Sequence, residues 1–209
     1  MKFLLIILSV SYLMISSSNA QDKKVYAGIQ GQLAMTDTEE DSKTDAQTLA
    51  DACSCTVTYS YEETTLSGRI FAGYKITPKI SIELGYFNTS SVETTYKGTY
   101  SGTAWNIAVS AEASGLDGSA LFYLTDSFYL KGGLHSSRLD GLATGSAAGF
   151  SYTATAEASG SGFLAGAGMK KDSASGESFF NGEFVYYDSV GGISDVSVSF
   201  ISVGYGMYF

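Results

Sequence analysis

Histidine occurs once in the 209 residues, and His135-Ser136-Ser137 sets that base two positions from a hydroxyl. On a strand this spacing places both side chains on one face, the start of a nucleophilic site that would still need an orienting carboxylate. No carboxylate can be assigned to that role from the sequence, so an ordinary strand-end histidine is the plainer reading. Cys53 and Cys55 are too few, without a histidine near them, for a four-ligand zinc site. A disulfide across one intervening residue, two free thiols and pairing with another chain all stand as readings. Asp37, Glu39 and Asp41 alternate as oxygen ligands for Ca²⁺ would, but the glycine and closing Glu of an EF-hand loop are absent. The glycine-rich stretch 160–168 lacks the Lys-Ser/Thr ending of a phosphate loop. Neither a metal nor a cofactor is expected. What remains is a set of isolated charges among apolar neighbours: Arg69, Lys75, Glu83, Lys131 and Glu183.

The elements that carry these charges read as antiparallel strands, apolar on one face, separated by turn signals. Val25, Ala27, Ile29 and Leu33 oppose Tyr26, Gln30 and Gln32 in the first. Ile70, Ala72, Tyr74 and Ile76 oppose Ser67, Arg69, Phe71 and Lys75 in the second, and Ile80, Ile82, Leu84 and Tyr86 oppose Ser81, Glu83 and Phe87 in the third. A fourth ends at Leu116 to Leu124. Phe128, Leu130 and Leu134 oppose Tyr129, Lys131 and His135 in the fifth. A glycine-rich sixth lies around Gly162 to Lys170, and Phe180, Phe184 and Tyr186 oppose Asn181, Glu183 and Tyr187 in the seventh. An eighth ends the chain. All five charges fall on the face opposite the apolar residues. A cation facing lipid at the bilayer midplane costs about 2–4 kcal/mol, so the apolar face is expected to meet lipid and the charged face a lumen. A soluble sandwich with the apolar face inward is the competing architecture.

The two ends of the chain favour the membrane. Met1-Lys2, an apolar run from Phe3 to Ile15 and Ser18-Asn19-Ala20 have the form of a signal peptide, with cleavage between Ala20 and Gln21. An apolar run of that length is too short to span a bilayer as a helix, and no later segment is longer. Strands can span if they close into a barrel, which satisfies every backbone group internally. Removing residues 1–20 leaves roughly 189 residues, one domain in size, rich in Gly, Tyr, Phe, Ser and Thr with one proline, Pro78. The formal charge of −9 excludes nucleic acid as a partner. Much of the acidic excess lies between Thr36 and Thr65, expected as a solvated loop. Short turns at Thr77 to Lys79, Thr125 to Ser127 and Lys171 to Glu177 alternate with long links at 35–65, 88–105, 136–160 and 188–196. That asymmetry is the one seen in outer-membrane barrels, with strands extending beyond the membrane as hairpins where the links themselves alternate, as at Trp105, Ile107 and Val109.

The segments Phe71-Ala72-Gly73-Tyr74-Lys75, Ile82-Glu83-Leu84-Gly85-Tyr86-Phe87 and Tyr123 through Leu134 resemble the OmpA-like eight-stranded barrel family, and the likeness extends over nearly the whole chain after Ala20. It implies a transmembrane, antiparallel, up-and-down all-β barrel over residues 21–209, with inward ionic positions at Arg69, Glu83, Lys131 and Glu183. No peptidoglycan-binding segment is expected after the barrel, so a cell-wall tether is not implied. The ending Ser202, Gly204, Met207, Phe209 resembles the signal that barrel-insertion machinery reads in such proteins. His135-Ser136-Ser137 is similar to the His-x-Ser arrangement of outer-membrane lipid A deacylases, but an acyl chain in lipid would not reach a lumen-facing Ser137.

The expectation is therefore a monomeric outer-membrane protein with both termini periplasmic and a structural or surface-interaction role through its external loops, without enzymatic chemistry. Its partners would be membrane lipid and lipopolysaccharide, the insertion machinery and an extracellular surface ligand. A lipid-modifying enzyme centred on His135 and a small pore are the alternatives, the pore disfavoured because side chains can fill an eight-stranded interior. Within the lumen, Lys131 with Glu83 and Glu183, and Arg69 reaching down, are expected to form one ionic network, with Lys75 below.

Overall fold

The computed structural model describes residues 24–36 and 39–209. Residues 1–20, expected from the sequence as a signal peptide, Gln21 and Asp37 lie outside these, as do the side chains of Glu39 and Asp41. Chain order is β1 (Val25–Thr36), α1 (Glu39–Cys53), β2 (Val57–Tyr61), β3 (Thr64–Thr77), β4 (Ile80–Thr89), β5 (Val92–Tyr100), β6 (Thr103–Tyr123), β7 (Phe128–Ala147), β8 (Phe150–Asp172), β9 (Ser178–Tyr187) and β10 (Val198–Tyr208). Every pairing is antiparallel. β6-β4-β3-β1-β10-β9-β8-β7 runs as one sheet, and β7 pairs back onto β6, closing a ring of eight strands. The upper half of β6 pairs with β5, and β5 with β2. The second and third spans are therefore each broken in two, β2 with β3 and β5 with β4, and their outer pieces continue the wall as an extension above the ring.

Period-2 alternation decides what fills the ring and what covers it. Ile29, Leu33, Ile70, Leu84, Leu116, Leu134, Phe163, Phe184 and Val203 point outward and are exposed, whereas Tyr26, Phe71, Phe87, Tyr129, Phe179 and Phe200 are buried inside. On β6, β7 and β8 the outward band carries no charge between Lys171 at the terminal edge and Glu112, Arg138, Asp140 and Glu157 at the foot of the extension. Such a band is what lipid requires.

Hydroxyl residues close the turns at the end where the termini lie. Thr125 Oγ1 accepts from the backbone N–H of Phe128 at 3.0 Å, and Thr77 Oγ1 from that of Lys79 at 3.2 Å. At the far end β5–β6 and β7–β8 turn through Ser101-Gly102 and Ala148-Gly149, both residues of each pair at positive φ. Two such residues match the right-handed twist of the flanking strands, so long hairpins form with almost no loop. The links 88–105 and 136–160 are accordingly ladder rather than coil.

The acidic segment expected as a solvated loop holds α1 instead. Its Ala, Leu and Gln content suits a helix, and Ala46 and Ser42 are buried against β5. Ser42 Oγ meets Thr94 Oγ1 at 3.5 Å, and the Tyr96 hydroxyl donates to Asp45 at 3.4 Å. At the helix end Cys53 and Cys55 are joined as a disulfide, Cα to Cα 5.1 Å.

Candidate functional site: the lumen and the extension

Three layers fill the barrel. Nearest the termini Tyr26, Phe71, Phe179 and Tyr208 pack edge-on or tilted, with ring centroids 5.1–6.3 Å apart. At the other end Phe87, Tyr187, Phe200, Val185, Leu164 and Val198 form an apolar plug, capped by Val190 in the short turn Val190–Gly192.

Between them lie the charges. Arg69 Nε and Nη2 donate to the two Asp117 oxygens at 2.9 and 2.6 Å, a bidentate fork, while Nη1 donates to Gln30 Oε1 at 3.1 Å and Glu83 Oε2 at 3.3 Å. Lys131 Nζ bridges Glu83 at 3.3 Å and Glu183 at 3.1 Å. Tyrosine hydroxyls add to these: Tyr26 donates to Glu83 Oε1 at 3.2 Å and Tyr129 to Glu183 Oε1 at 2.5 Å, the oxygens the cations leave free, while Tyr187 shares Asp117 Oδ2 with Arg69 at 3.2 Å. Side chains in this cluster are at most 3% exposed. Charges held so far from water persist only when paired and hydrogen-bonded on every side, and here they are. Gly85 lets the fork approach, since a Cβ there would fall within 2.7 Å of three Arg69 guanidinium atoms.

The structure thus brings Arg69, Glu83, Lys131 and Glu183 together. It leaves Lys75 out. On β3 Lys75 sits opposite Ser81, one inward position nearer the termini than Glu83, and its Nζ lies 4.1 Å from the Tyr208 ring centroid. Its contact is therefore a cation–π one at the mouth, and it joins no ion pair among the described residues. Asp117 was missing from the sequence reading. Its signal was the parity of β6, where Leu116, Phe122 and Leu124 face out and Asp117, Ser119 and Tyr123 face in, but Leu121 faces in as well and blurs the alternation. Lys170 is a second omission: buried, without a hydrogen-bond partner among the described residues, its Nζ lies 4.8–5.4 Å from the rings of Tyr123, Phe179, Tyr26 and Tyr208.

His135 and Ser137 do share the inward face. His135 Nε2 contacts the backbone oxygen of Asp188 at 2.6 Å, and Ser137 Oγ accepts from the Gly191 N–H at 2.9 Å, so both anchor the short turn. No carboxylate side chain bonds to His135 among the described residues. On β10 Ser202 faces in and is buried, Gly204 lies against Asn181 and Gln30, and Met207 and Phe209 face out at the terminal edge.

Outside the ring the extension carries its charges on the surface. Glu112, Asp140 and Glu157 lie side by side on β6, β7 and β8, and Arg138 pairs with Asp140 and Glu157, at 2.7 Å each.

A closed ring of eight antiparallel strands, apolar outside and packed inside, defines a transmembrane β-barrel of the outer-membrane class. The family model described as the OmpA-like transmembrane domain matches residues 20–191, and the chain belongs to that family. No curated protein matches it by sequence. Among solved structures it is similar to Ail, the attachment invasion locus protein of Yersinia pestis, in complex with the heparin analogue sucrose octasulfate (12% identity, 89% of this chain and 99% of that one, TM-score 0.49). It is also similar to OprG of Pseudomonas aeruginosa (12%, 89% and 97%, TM-score 0.45) and to Neisserial surface protein A (17%, 88% and 97%, TM-score 0.35).

Proposed function

We propose that this chain is a surface-interaction protein: a sealed barrel holds it in the outer membrane, and the extension meets partners outside the cell. The lumen carries the reading. An ionic layer between two packed plugs leaves no room for a solute, whereas α1, β2, β5 and the β7–β8 hairpin add ordered surface that the barrel does not need for closure. Residues 1–20 act as a signal peptide cleaved after Ala20, both termini of residues 21–209 lie in the periplasm, and Ser202, Gly204, Met207 and Phe209 present the ending to the insertion machinery. The reading assigns no chemistry to His135 and Ser137, since His135 Nε2 and Ser137 Oγ both bond to the backbone of the cap.

The ligand is neutral or basic. Glu62, Glu63, Glu93, Glu112, Asp140 and Glu157 outweigh Lys97 and Arg138 on the extension, so a sulfated polyanion of the kind bound to the Yersinia protein would be repelled. The test is a screen of the detergent-solubilised chain against arrayed neutral glycans, sulfated glycans and extracellular-matrix proteins. It is repeated with residues 39–61 replaced by a short turn and 144–153 by Asn-Gly. Binding is expected on non-sulfated targets and lost on trimming. Binding that survives trimming would place the site on the barrel and defeat the reading.

A further inference from the structure

Most edges in this fold are closed or blunted, and one is not. β2, at one margin of the extension, is five residues long and is followed by Glu62-Glu63. At the other margin β8 begins pairing with β9 only at Leu164. Its upper part, Phe150 to Glu157, is exposed throughout and has β7 alone as a partner among the described residues. Each alternate backbone N–H and C=O along it faces open water. Natural sheets protect such an edge with lysine, proline, a bulge or extreme shortness. Phe150-Ser151-Tyr152-Thr153-Ala154-Thr155-Ala156 has none of these: seven residues, β-branched and aromatic in character, with no charge, proline or glycine. That composition is what strand-to-strand association selects.

We propose that this edge pairs with the same edge of a second copy on an opposing surface, in an antiparallel register centred on Thr153. Pairing related by a two-fold axis through the sheet keeps each side chain on its own face, so partners have numbers of equal parity. Centring on Thr153 sets Phe150 opposite Ala156 and Tyr152 opposite Ala154 on one face, a large residue against a small one each time. On the other face Ser151 meets Thr155 and Thr153 meets itself, hydroxyl pairs that favour cross-strand packing. The first charge, Glu157, falls opposite the Gly149 turn. Copies in one membrane hold β8 running the same way and cannot meet antiparallel, so the pairing joins two membranes face to face. This inference rests on the reading that the extension lies outside the cell and names a second copy as its partner.

Thr153 opposite itself supplies the test, because a charge placed there meets its like. Two differently coloured populations of cells displaying the full chain are mixed and two-colour clusters counted, while added protease reports whether the β7–β8 hairpin is reachable from outside. Wild-type populations are expected to cluster. Thr153→Lys alone and Thr153→Glu alone should each cluster roughly tenfold less or worse, and mixing the Lys population with the Glu population should restore clustering. Thr153 is exposed and faces outward, so neither substitution disturbs the barrel, which heat-modifiable migration in gels verifies. Clustering unchanged in the single variants, no recovery on mixing, or unclustered wild-type cells whose hairpin is cut would each overturn the pairing and leave the surface role standing. A hairpin that stays uncut on cells dispersed by the Thr153 variants would overturn both.

Discussion

The lumen and the extension both contain ion pairs, and the shorter distances do not mark the stronger contributions. Arg138 meets Asp140 and Glu157 at 2.7 Å with its side chain 52% exposed, while Lys131 holds Glu83 and Glu183 at 3.3 and 3.1 Å with 1% exposure. In the extension water solvates each partner nearly as well as the other does, so the pair contributes little. In the lumen no water replaces a missing partner, and the cost of leaving a charge alone sets the energy. One region is built for invariance, the other for exposure.

Three substitutions break that contrast in descending order. Lys131→Ala strands Glu83 and Glu183 without their cation and is expected to cost about 3–5 kcal/mol in folding free energy. The measurement is the urea midpoint in detergent, against Lys43→Ala on the exposed face of α1, which should leave it unchanged. Gly85→Ala keeps every charge but drives a methyl group into the Arg69 guanidinium, which Asp117 and Glu83 hold in place. Overpacking of that kind costs about 1–3 kcal/mol, and the same titration reads it. Arg138→Ala removes both extension pairs and should cost under about 1 kcal/mol, a difference that shrinks further in 1 M salt while the Lys131→Ala penalty persists.

How far the sequence disclosed this arrangement follows the same division. Barrel faces were legible because lipid and lumen impose opposite demands on alternate residues, which places Arg69, Glu83, Lys131 and Glu183 inward without any distance information. Lys75 had the right parity and lies below the others as expected, but alternation is blind to reach, and at that depth its contact is the Tyr208 ring rather than a carboxylate. Asp117 was hidden by an inward Leu121, and the three tyrosine hydroxyls that complete the ion pairs belong to residues whose rings alone seemed enough to explain them. The extension obeyed weaker rules. The extended hairpins were announced by the alternation at Trp105, Ile107 and Val109, whereas α1 and the tight turns at Ser101-Gly102 and Ala148-Gly149 rest on helix and turn chemistry that the long polar links conceal.

The claim on which the rest depends is that the lumen is sealed by its own paired side chains. Single-channel recording of the purified chain in planar bilayers addresses it directly. Silent membranes are predicted, because the aromatic layer, the ionic layer and the apolar plug each close the lumen. Stable, ion-selective steps from the unaltered chain would contradict the account and make the barrel a pore.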